Sequence, residues 1–237
     1  MKFTFVVAAV LGLLSVGQSA PVSGCERLIQ PLEIQGREQL LGNWIFIAES
    51  TDIKGSKLLT KMFVESAWEK VTAANESDAI NIFQSQKMFG RCFSLTTKLT
   101  LENSTLSMVQ PLSSSGVLLN TGCPDCLVFY TKYTTERNTY SGLQLLSKRN
   151  EVTAAELEEF KKQVECLNLP PAAILDPGKG LCPDESLSQE TQTTDLTSFM
   201  NNMESDIFTL LDIFSSEGGM QVLLKVLSSG RAELKDN

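Results

Sequence analysis

The cysteines offer the most chemistry in this chain: Cys25, Cys92, Cys123, Cys126, Cys166 and Cys182 make six, and histidine is absent. Without histidine there is no Ser-His-Asp or Cys-His catalytic set and no histidine-containing zinc site. Cys123-Pro124-Asp125-Cys126 has the spacing of a redox dithiol. That chemistry needs a helix N-terminus at the first cysteine to lower the thiol pKa. Leu127-Val128-Phe129-Tyr130-Thr131 follows instead, and β-branched and aromatic residues of this kind read as a strand. A short disulfide staple across a hairpin corner is therefore expected.

The chain begins like an exported protein. Lys2 precedes an apolar run over 3–16, and the small residues Gly17, Ser19 and Ala20 come next. This is the pattern of a secretory signal peptide, expected over 1–20, and it is too short for a comfortable membrane span. An even cysteine count behind such a signal reads as disulfides, with the pairing left open. Two N-glycosylation sequons, at Asn75 and Asn103, agree with a secreted, extracellular protein. Net charge is −8, from 20 basic and 28 acidic residues. Nucleic acid is excluded as a partner because binding it needs a clustered basic surface. No later stretch is apolar for long enough to form a transmembrane segment. Nothing implies a cofactor or a metal.

The elements that must position any site are mostly strands. Gly42 sits before Asn43-Trp44-Ile45-Phe46-Ile47-Ala48, where a turn can take φ > 0 without a Cβ penalty. With a period of two, Trp44, Phe46 and Ala48 share one face. The pattern predicts strands over 43–49, 63–74, 79–88, 92–101, 106–110, 117–121, 127–133 and 139–147. The stretch 51–60, with Asp52, Gly55 and Ser56, reads as the longest early loop. Eight strands joined by short tips suit a closed up-and-down antiparallel barrel, which makes the fold mainly β. Thr153-Ala154-Ala155-Glu156 is a capping box, followed by Leu157, Phe160, Val164 and Leu167 on one helical face. A single amphipathic helix after a meander packs on the barrel's outer wall. Counting hairpins places the tips at Asn75, Asn103 and Cys123 to Cys126 at the closed end with Trp44.

Gly42-x-Trp44 opening this β-rich stretch, with the helix and Cys166-Leu167-x-x-Pro170 closing it, resembles the lipocalins. The similarity is to the orosomucoid (alpha-1-acid glycoprotein) and apolipoprotein M type, with the pufferfish saxitoxin- and tetrodotoxin-binding proteins as relatives. Two features depart from mammalian orosomucoid: the Cys-Pro-Asp-Cys corner and the long tail.

The resemblance implies a domain over 21–183, with bridges Cys25 to Cys166 and Cys92 to Cys182 beside the staple Cys123 to Cys126. It implies that Trp44 forms the barrel floor under a basic side chain. Arg149 is chosen for that position, with Lys148 the alternative. The inward, ligand-binding set is Phe46, Ala48, Ile82, Gln84, Met88, Met108, Leu127, Phe129, Gln144 and Leu146. Methionines in such a lining make it adaptable. The implied function is a secreted, plasma-type transport protein binding a small hydrophobic or amphipathic ligand such as a lipid, drug-like molecule or toxin, without catalysis. An alternative is a lipoprotein-associated lysosphingolipid carrier like apolipoprotein M. A further one is a thiol-dependent lipocalin enzyme using an unpaired Cys92.

After a polar linker over 184–195 comes a tail over 196–237 in which Leu196, Phe199, Met203, Ile207, Leu210, Leu211 and Phe214 hold helical spacing. Its polar face carries Glu204, Asp206 and Asp212 and no basic residue, which argues against an anionic membrane as its partner. The expectation is an amphipathic helical tail that docks on its own barrel, mediates association, or meets a lipoprotein particle.

Overall fold

The computed structural model describes residues 24–108, 113–134 and 138–184, and the backbone of 193–195. The expected signal peptide over 1–20 and the tail over 196–237 lie outside the described residues. Eight strands form the barrel: β1 (Gly42–Thr51), β2 (Val64–Ala73), β3 (Ala79–Met88), β4 (Arg91–Glu102), β5 (Thr105–Met108), β6 (Ser114–Leu119), β7 (Cys126–Thr134) and β8 (Thr139–Ser147). They pair in the order β4-β3-β2-β1-β8-β7-β6-β5, and a β4–β5 pairing closes the ring. Every one of these pairings is antiparallel, so the meander removes its own sheet edges.

Closure is uneven. Among the described residues β5 pairs β4 over Thr100 to Glu102, at the floor end, and toward the mouth β4 has a different neighbour. The short strand β10 (Thr193–Asp195) runs parallel to β4 there, opposite Cys92 to Ser94. The linker expected over 184–195 thus ends in a strand.

The floor is built by the N-terminal arm. Gly42 has φ +120°, a conformation that L side chains rarely adopt, and this turn feeds Trp44 into the barrel's base. Trp44 is 3 % exposed, and its indole N–H donates to the Leu40 carbonyl at 2.7 Å. Arg37, in a 3-10 turn (Arg37–Gln39), donates to the carbonyls of Ala74 and Ala79 and so pins the β2–β3 hairpin to the arm. Upstream, Pro31 bridges Leu119, and a disulfide joins Cys25 in helix α1 (Gly24–Leu28) to Cys166. The tips bearing Asn75 and Asn103 are exposed and lie at this same end, as does the Cys123 to Cys126 corner.

A second core lies outside the barrel. Helix α3 (Ala154–Cys166) starts at a capping box in which Thr153 and Glu156 exchange hydrogen bonds. Phe160 and Val164 pack against Ile47, Val128, Leu143 and Leu145 on the outer wall. Full burial of a side chain such as Phe160 contributes about 1.5–3 kcal/mol. The strand β9 (Ala173–Ile174) then pairs with β1.

On the opposite wall the segment leading to Cys182 straps β2–β4. Trp68 Nε1 donates to the Cys182 carbonyl, Lys70 pairs with Asp184 at 2.9 Å, and Cys182 is bridged to Cys92.

Two expectations are corrected here. The loop expected over 51–60 contains most of a helix, α2 (Ser56–Phe63), at the open end between β1 and β2. Ala48 does not face the barrel interior. The β1–β8 register slips between Phe46 and Ala48, so that Phe46 stands opposite Leu146 but Ala48 opposite Leu145. This bulge inserts one residue and reverses the alternation beyond it. Ala48 consequently sits, fully buried, in the outer core beneath α3.

Candidate ligand cavity

The barrel encloses a cavity of about 230 Å³ with Leu40 at its floor. Alternation along each strand explains its lining. On β3 the inward face presents Ile80, Ile82 and Gln84; on β7 it presents Leu127, Phe129, Thr131 and Tyr133; on β8 it presents Gln144 and Leu146. Phe46 comes from β1 and Met108 from β5, while Leu95, Thr97 and Leu99 come from β4. Gly116 on β6 leaves room for Phe129, because a Cβ there would lie 2.7 Å from its ring.

Of the residues assigned to the lining from the sequence, Phe46, Ile82, Gln84, Met108, Leu127, Phe129, Gln144 and Leu146 border this cavity. Ala48 is outside for the reason given. Met88 shares the inward parity of β3 but is its last residue, paired with Val64 and Arg91 at the mouth, above the cavity. It does not line the space.

The floor carries another correction. The cation over Trp44 is Lys148, with Nζ 4.8 Å from the ring centroid. Arg149 points the other way, pairing with Asp125 at 2.7 Å and with Glu156 at 2.9 Å. Parity decides this: Lys148 continues the inward series of Gln144 and Leu146, whereas Arg149 belongs to the face covered by α3. Arg149 thereby links the Cys123–Cys126 corner to the helix's capping box. The Glu156 carboxyl is held below the usual carboxylate range by the Thr153 backbone N–H, and Arg149 adds to this.

Sequence reasoning missed Glu69. The registers Trp44↔Glu69 and Glu69↔Gln84 put its side chain on the inward face, where it borders the cavity. Burial pushes its pKa up to about 7, since an ionised carboxylate loses its hydration there. Glu49, which the bulge turns toward Gln144, accepts a hydrogen bond from Thr60 of α2. Burial raises the pKa of the Tyr133 phenol, and Glu49 and Glu69 raise it further, so Tyr133 stays a neutral hydrogen-bonding group. The cavity is therefore apolar at the floor and carries polar side chains from β2, β3, β4, β6, β7 and β8 above it, with an acidic side chain and no basic one among its lining residues.

All six cysteines are paired as Cys25–Cys166, Cys92–Cys182 and Cys123–Cys126. Cys123, Asp125 and Cys126 crowd together as metal ligands can, but the two sulfurs are bonded to each other. β7 rather than a helix begins at Cys126, so no helix dipole acts on this pair.

No protein-family model and no curated protein matches the sequence. Solved structures do match the fold. The siderocalin Ex-FABP superposes with a TM-score of 0.52 at 14 % identity, covering 66 % of this chain and 99 % of its own. The bovine lipocalin allergen Bos d 2 gives 0.50 at 17 % identity, covering 62 % and 97 %. An odorant-binding protein, OBP1, gives 0.51 at 18 % identity, covering 62 % and 96 %. The chain has the lipocalin fold: a closed eight-stranded antiparallel barrel with one C-terminal helix against its wall. No described helix is long and apolar enough to cross a membrane.

Proposed function

We propose that this chain is a secreted, non-catalytic carrier that holds a small hydrophobic or amphipathic molecule inside the barrel. The observation that supports it is the cavity of about 230 Å³, in which Phe46, Leu127, Phe129 and Leu146 provide apolar wall and Gln84, Gln144 and Glu69 provide polar contacts. Apolar area buried there stabilises the complex by about 25 cal/mol per Å². The polar side chains above the apolar floor orient a guest with one hydrogen-bonding end and an apolar body. The siderocalin and odorant-binding neighbours bind ligands by their names, and this reading extends that property to the present barrel.

Within the fold, the ending Cys166-Leu167-x-x-Pro170 supports an orosomucoid or apolipoprotein M type, glycosylated at Asn75 and Asn103. The thiol-enzyme alternative is disfavoured because Cys92 is bonded to Cys182 and offers no thiolate. Native mass spectrometry of protein purified from its source, with a screen of fluorescent lipids, tests the reading. Bound amphiphile at one per chain supports it. A barrel that takes up no amphiphile in either experiment contradicts it.

A further inference from the structure

The open end differs from the rest of this acidic molecule. Leu58 and Met62, four residues apart on α2, are 44 % and 51 % exposed, and Phe89 at the β3–β4 tip is 65 % exposed. These are three of the six large hydrophobic residues exposed among those described. Phe63, the last residue of α2, packs against the tip, its ring centroid 5.0 Å from that of Phe89.

Basic groups surround them. Lys54 lies in the turn into α2, Lys61 is in its last turn, and Arg91 follows Phe89 across the β-turn; all three are exposed. Lys57, half-buried on the same helix, borders instead a groove on the outer wall with Glu165 and Ile174. None of the four makes an ion pair among the described residues. α2 contains no acidic residue. Of the acidic side chains here, Glu65 is engaged by Lys87 and the Gly90 N–H, and Asp52 accepts from the Ser141 N–H.

A chain of net charge −8 thus gathers unpaired cations around protruding apolar side chains at the end of the barrel opposite the Trp44 floor. Monomer surfaces scatter single hydrophobic residues, but a contiguous apolar group ringed by cations matches the interface of an anionic bilayer, where side chains enter the acyl boundary and cations meet headgroups.

We propose that the barrel mouth is a docking surface for an anionic phospholipid membrane, with α2 and the Phe89 tip inserted and Lys54, Lys61 and Arg91 against the headgroups. The placement brings the cavity directly onto the lipid surface, so a guest passes between bilayer and barrel without crossing water. That use of the surface rests on the carrier reading. The docking itself is measured on ligand-free protein, so failure of either is seen separately.

The test is flotation of the full chain with vesicles of phosphatidylcholine alone or with about 30 % phosphatidylserine, at low salt and at about 0.5 M salt. The docking predicts recovery with phosphatidylserine vesicles at least ~10-fold above phosphatidylcholine alone, falling with salt. The K54E/K61E variant, changed only at exposed positions, should lose that difference, and L58S/M62S should lose binding at both salt concentrations. Circular dichroism checks that both variants stay folded. No recovery of the full chain with phosphatidylserine vesicles overturns the proposal. Recovery that is unchanged in both variants also overturns it, because another surface, such as the tail over 196–237, then carries the binding.

Discussion

Lys148 holds its ammonium 4.8 Å above the ring of Trp44, while the neighbouring Arg149 reaches away to Asp125 and Glu156. The two adjacent cations therefore serve opposite sides of the barrel wall, one closing the floor and the other tying α3 to the Cys123–Cys126 corner. Because Lys148 is exposed, its contact belongs to the weaker end of cation–π interactions, about 0.5–1 kcal/mol. Lys148→Ala should lower stability by that amount and change the Trp44 near-ultraviolet signal. Arg149→Ala should leave that signal unchanged. The reverse pattern in near-ultraviolet circular dichroism would show that the floor is capped by Arg149.

Glu69 makes stability depend on pH in a direction opposite to that of a salt-bridged carboxylate. Its pKa is near 7 when folded and near 4.5 when unfolded, so between these values the folded chain holds more proton. Stability contributed by the neutral form is then full below the unfolded pKa and is lost as pH rises through the folded one. The loss reaches up to about 3 kcal/mol above pH 7. Glu69→Gln should be more stable than the parent at pH 8 and show a flatter profile from pH 4.5 to 7 in urea denaturation. Equal pH slopes for the two proteins would place the Glu69 carboxyl in water.

The three disulfides should rank by the loops they close. Cys25–Cys166 spans 141 residues of sequence separation and Cys123–Cys126 only 3. In the chain-entropy model these correspond to about 5 and about 2 kcal/mol respectively. Thermal melts of C25S/C166S and C123S/C126S should therefore differ by several degrees or more, the first melting lower. Equal losses would indicate that the corner staple acts on the folded state and not mainly on the unfolded chain.

The barrel was legible in the sequence because strand alternation and turn residues repeat along most of the meander. The strand over 79–88 was read with its observed limits, and the capping box marked the start of α3. What stayed hidden was whatever broke the period. The bulge after Phe46 leaves no mark in residue type, so Ala48 was placed on the wrong face. Glu69 was overlooked because a charged residue on an alternating strand is ordinarily its solvent face, and only the pairing opposite Trp44 and Gln84 reveals the inversion. α2 was hidden inside a stretch whose Asp52, Gly55 and Ser56 read as loop. Lys148, in contrast, was available from parity with Leu146 alone.

The corrected face of Ala48 makes a sharp contrast with Phe46, two positions away. Ala48 has no exposed surface and lies under α3. Ala48→Arg should prevent folding or cost about 3–5 kcal/mol, since it drives an unpaired charge and excess volume into a packed core. If Ala48→Arg melted like the parent and instead blocked ligand uptake, the bulge would be misplaced and Ala48 would line the cavity.

The central claim is that a guest sits inside the barrel, and the direct measurement is a fluorescence titration of a long-chain fluorescent amphiphile into the parent chain and Phe129→Arg. Phe129 borders the cavity and is half-buried, so the longer cationic side chain can reach toward the mouth while the barrel remains folded, as circular dichroism would verify. The account predicts saturable one-to-one binding to the parent and affinity at least ~10-fold weaker for the variant, because an apolar guest must then share the space with a charge that needs water. Equal affinity for a folded Phe129→Arg protein would place the guest outside the barrel and contradict the account.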